Sequence, residues 1–70
     1  MYDEKLINAY PGVEDIDKFS QWLTDVAKQA VKDSDKEMLK LVDNAAFFIM
    51  SAYRRREYSV KILARIKGGF

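Results

Sequence analysis

The chain has 70 residues, no cysteine, no histidine, a formal net charge of +1 and 49% hydrophobic residues. A core of this size supplies only about 3–5 kcal/mol, and disulfides, thiolate metal sites and the commonest transition-metal ligand are excluded as aids. Good packing or a partner chain must do the rest, and so large an apolar fraction argues against disorder.

The opening Met1-Tyr2-Asp3-Glu4-Lys5-Leu6 has no basic stretch followed by an apolar run, so no signal peptide is expected. The longest apolar run, Ala45 to Met50, is too short to span a bilayer. A soluble cytoplasmic protein is the expectation. Residues 3–10 can form a short helical arm with Leu6, Ile7 and Tyr10 on one side, and Pro11-Gly12 should end it near Tyr10.

The spacing of Ile16, Phe19, Leu23, Val26 and Ala30 predicts a helix over 14–32, widened by Trp22, Ala27 and Val31. Acids in its first turn and Lys28 and Lys32 in its last complement the helix dipole. Asp33-Ser34-Asp35 then reads as a turn, with Ser34 as N-cap and Glu37 completing a capping box.

A second helix is predicted over 35–56, with Met38, Val42, Ala45, Ile49 and Ala52 as its stripe and Leu41 and Phe48 beside it. Arg56 falls in line with that stripe, so either the helix bends before it or its stem lies along the core with the charge in water. Asn44 sits on the edge of the same surface, where exposure or a backbone bond is the ordinary outcome. The two helices make an antiparallel hairpin.

Residues 58–66 alternate apolar and polar almost perfectly, which permits a strand. A helix capped by Ser59 is favoured, because a lone strand would leave its backbone groups unsatisfied. The fold class is therefore all-α: one domain over 1–70, a helical hairpin with an N-terminal arm and a C-terminal helix.

Two features point to function. Residues 1–50 carry six Lys against ten acids, a sum of −4, whereas 51–70 carry six cations against Glu57, a sum of +5. Arg54, Arg55, Arg56, Lys61, Arg65 and Lys67, with Tyr53 and Tyr58 for stacking, make a candidate contact for an anionic partner, nucleic acid included. The same residues would also serve as a solvated helix end complementing the dipole, or as internal partners for the acidic half. Three consecutive arginines fan around a helix and cannot all meet one ligand.

The second feature is Phe47, which lies opposite the stripe of the second helix, with Leu39 and Met50 on its flank. A helix apolar on more than one side is deeply buried or makes a second contact. Leu39, Phe47, Met50 and Tyr53 are thus the candidate protein interface, with cover by the chain's own ends as the competing outcome.

The carboxylates fall at helix starts, where capping accounts for them, and match no cation-binding loop. No Ser-His pair, glycine-rich phosphate loop or zinc motif is present. The expectation is a non-enzymatic protein-interaction module with no cofactor or metal, acting as a small accessory, adaptor or inhibitor protein of bacterial or phage style. It would pair as a homodimer or bind a larger protein; a nucleic-acid or nucleotide binder is the alternative, and a membrane partner is not expected.

Overall fold

The computed structural model describes residues 2–68, and among them it contains four helices and no strand. Helix α1 spans Glu4–Asn8, α2 Ile16–Lys32, α3 Lys36–Phe47 and α4 Ala52–Gly68. The all-α class is as the sequence implies, and 58–66 is helical.

Each of the first three helices starts where an aspartate can accept from the first turn. Asp3 accepts from the Lys5 amide, Asp15 from Lys18 and Asp35 from Met38. The arm ends at Ala9, before Pro11, and Gly12 turns the chain with φ +83°, a left-handed conformation that glycine adopts without steric cost. One expected cap moves by a residue. Ser34 takes the left-handed conformation at φ 55°, which puts it in the turn, so Asp35 caps α3 and the Ser34–Glu37 capping box does not form.

The larger difference lies at residues 48–51. The helix expected over 35–56 is two helices separated by a tight corner. The Phe48 amide donates to the Asn44 carbonyl, Ile49 to Ala46, and Ser51 to Phe48 at 2.9 Å. Ser51 then starts α4, its hydroxyl accepting from the Arg54 amide at 3.2 Å. An unbroken helix from 36 to 68 would be about 50 Å long at 1.5 Å per residue, far beyond the 28 Å longest dimension of the molecule. Folding back returns Ile62 and Ile66 to the core instead.

That core joins one face of each long helix: Phe19, Trp22, Leu23, Val26 and Ala30 from α2, Met38, Val42 and Ala45 from α3, Ile62 and Ile66 from α4. Phe19, Met38, Ile62 and Val26 are fully enclosed, each worth about 1.5–3 kcal/mol of apolar burial. The arm closes one side. Trp22 Nε1 donates to the Leu6 carbonyl at 2.8 Å, and the Tyr10 ring meets the Trp22 ring edge-on at 4.8 Å.

The corner also resets the helical phase, with a consequence for the arginines. The helix breaks before Arg56, one of the two outcomes its position in the stripe allowed, and Arg56 is exposed, as is Ala52 of the expected stripe. Arg55 turns inward instead, only 6% accessible. Its Nε donates to the Val13 carbonyl at 2.6 Å and its Nη1 to the Ile49 carbonyl. One guanidinium thereby ties the α1–α2 connection to the α3–α4 corner. Ser59, expected as a cap, is buried within α4 and donates to the Arg55 carbonyl at 2.7 Å.

Candidate functional site

The corner between α3 and α4 is also where the chain leaves its largest apolar side chains uncovered. Phe47 is 81% accessible, Met50 80%, Tyr53 70% and Phe48 36%. Phe47 follows from the helix geometry: it ends α3 on the side opposite Met38, Val42 and Ala45. Met50 stands on the turn, and Tyr53 begins α4 facing away from Arg55 and Ser59.

The aromatic side chains among them form a connected surface with Arg54, Tyr58 and Lys61. The Phe47 and Phe48 rings meet edge-on at 4.9 Å. The Phe48 ring stacks parallel to Tyr58 at 6.4 Å. The Arg54 guanidinium lies 5.0 Å from the Phe48 ring centre and 5.8 Å from that of Tyr53. Lys61 Nζ lies 5.3 Å from the Tyr58 ring centre. The cations cover ring faces, the arrangement that the aromatic quadrupole favours.

Glu57 joins the two cations. Its Oε1 accepts from Arg54 Nη1 at 2.8 Å, and its Oε2 lies 3.6 Å from Lys61 Nζ. The hydrogen bond from Arg54 is the main reason that the Glu57 carboxyl is held below its usual pKa.

Of the residues expected to make a contact, Phe47, Met50 and Tyr53 are exposed around the corner, whereas Leu39 is half-buried against the core. Phe48, expected beside the main stripe, belongs to the exposed surface and links Phe47 to Arg54 and Tyr58. The one sequence signal that could have revealed it is Ser51, a capping residue placed directly after the apolar run.

The expected anionic-partner residues divide into four groups. Arg55 is enclosed and bonded to carbonyl groups. Arg65 grips Asp35 with two bonds, Nε to Oδ2 at 2.9 Å and Nη2 to Oδ1 at 2.7 Å. Arg54, Tyr58 and Lys61 belong to the aromatic corner, while Arg56 and Lys67 are exposed elsewhere on α4. No single basic strip joins them all.

Asp35 is the centre of a second polar cluster. Besides Arg65 and the Met38 amide, it accepts from the Tyr2 hydroxyl at 2.7 Å. The Arg65 hydrogen bonds, foremost among these causes, hold its carboxyl well below the carboxylate range. Burial, and then the bond to Asp35, push the Tyr2 phenol above its usual pKa. An open cleft between the arm and the end of α4 runs beside this cluster, lined by Tyr2, Ile7, Asp35 and Ile66 among others. Its Asp35–Arg65 pair is internally satisfied, and no buried side-chain nitrogen or oxygen among the described residues lacks a hydrogen bond.

Among the described residues, no group of three acidic, His or Cys side chains is placed to hold a metal ion. No helix among them is long and apolar enough to cross a membrane. Comparison with protein-family models, curated proteins and solved structures gives no match to this chain.

Proposed function

We propose that the protein is a non-enzymatic interaction module that docks onto another protein surface through the corner formed by Phe47, Phe48, Met50 and Tyr53. The observation that carries this reading is the exposure of three large apolar side chains on one rigid turn. Single exposed apolar residues are ordinary on protein surfaces; connected aromatic rings around an Arg, with an exposed Met on the same turn, have the composition of an interface core. The turn is held by backbone hydrogen bonds and by Arg55, so binding would cost little ordering. An accessory, adaptor or inhibitor role follows from such a surface, and the partner class is a second copy or a larger protein.

The test is affinity capture from cells of the source organism with wild-type protein and with Phe47→Ser/Met50→Ser, with and without nuclease. Both side chains are solvent-exposed, so the variant should keep its stability within about 0.5 kcal/mol. Wild type should enrich a defined protein that the variant does not, regardless of nuclease. Capture of the same proteins by both forms would refute the reading.

A further inference from the structure

Granting the interaction reading above, we infer that the corner receives an acidic amphipathic segment of a different protein, with apolar side chains on Phe47, Met50 and Tyr53 and a carboxylate on Arg54. Two arginines of the same helix show why. Arg65 holds Asp35 through the Nε–Nη2 edge of its guanidinium. Arg54 uses only Nη1, toward Glu57, and its Nε and Nη2 make no hydrogen bond among the described residues. The edge that is occupied by a carboxylate in one arginine is open in the other. It stands among exposed aromatic rings, and stacking on Phe48 and Tyr53 keeps the guanidinium in place. A planar fork of this kind suits a bidentate carboxylate.

The surrounding charge selects the occupant. The first three turns of α4 carry Arg54, Arg56 and Lys61 against Glu57, a sum of +2 once the enclosed Arg55 is set aside. From Lys40 to its end α3 carries only Lys40 and Asp43, which cancel. A second copy docking corner to corner would bring two positive surfaces together, which opposes association. A partner segment with carboxylates beside its apolar residues would meet the same surface favourably. An amphipathic helix presenting side chains at i, i+3 and i+4 has the required spacing.

The experiment is selection of displayed random 15-residue peptides on full-length wild-type protein, with parallel selection on Phe47→Ser/Met50→Ser. Enriched peptides should combine two or more apolar residues with two or more Asp or Glu, and should not be recovered on the variant. The best peptide and its Glu→Gln version are then measured by fluorescence anisotropy. Arg54→Gln/Lys61→Gln should weaken the acidic peptide about tenfold, because two charge-assisted interactions disappear, and should leave the Glu→Gln peptide nearly unchanged. Urea unfolding of each variant confirms that the fold persists.

Enrichment of neutral or basic peptides that still depend on Phe47 and Met50 would overturn the acidic assignment while the interaction reading stands. Identical peptides from both proteins would overturn both. A dimer in sedimentation equilibrium that Phe47→Ser/Met50→Ser dissociates would make a second copy the occupant, and so overturn the hetero-partner.

Discussion

Replacing Asp35 with Ala removes three interactions at a point where three segments meet. The carboxylate caps α3 through the Met38 amide, accepts from Tyr2 on the arm and holds Arg65 near the end of α4. Loss of the cap costs about 1 kcal/mol. Loss of the partly shielded bidentate pair costs about 1–2 kcal/mol, and that of the tyrosine bond about 0.5–1 kcal/mol. The sum is about 3 kcal/mol, from a total that for 70 residues is about 4–10 kcal/mol. Urea unfolding followed by the fluorescence of Trp22, the one tryptophan, and by circular dichroism measures it directly. The corresponding fall in Tm is about 12–24 °C. Asp35→Asn should cost less, because asparagine still caps α3, although its amide nitrogen cannot accept and the bidentate hold on Arg65 is lost with the charge. A loss below about 1 kcal/mol for Asp35→Ala would refute the view that this carboxylate fastens arm, α3 and α4 together, as would Asp35→Asn matching Asp35→Ala.

Asp35 also predicts the response to acid. Its folded-state pKa lies below that of the unfolded chain, so its contribution is fully present above about pH 4 and fades as pH falls through the folded value; urea midpoints from pH 7 down to 2 should show the decline, and Asp35→Asn should flatten it. Tyr2 acts in the opposite direction, its raised pKa making stability fall as pH rises above about 10. Ser34→Gly should stabilise the protein by about 0.5–1 kcal/mol, since glycine accepts the positive φ that serine adopts at a cost; a lower urea midpoint would contradict this. Arg55→Met keeps the buried stem but leaves the Val13 and Ile49 carbonyls without their donor, a loss of about 2–4 kcal/mol, which Arg55→Lys should partly restore in the same assay.

Much of the fold was legible locally. The α2 stripe contains every buried residue of that helix, because a single amphipathic helix with capped ends follows from the spacing of its own residues. Helix at 58–66 followed from the lack of a mate for a strand. The exposure of Phe47 was legible too, as a position opposite the stripe. The 48–51 corner was not. The run Ala45–Met50 continues the helical period without Pro or Gly, and only Ser51 after it and Arg56 in line with the stripe hint at a break. Its cause is long-range: only a reversal returns Ile62 and Ile66 to the core.

By itself, then, the sequence determined helical class, arm, core faces of α2 and α3, and the presence of apolar and basic side chains in excess of any one face. Tertiary structure decided which arginine is enclosed, which one grips Asp35 and which one keeps an open edge among aromatic rings. Spacing along a chain sets phase only within one uninterrupted helix; a corner resets that phase. After the corner, packing of α4 against α3 and the arm, with Ile62 and Ile66 in the core, determines the direction of every side chain on α4.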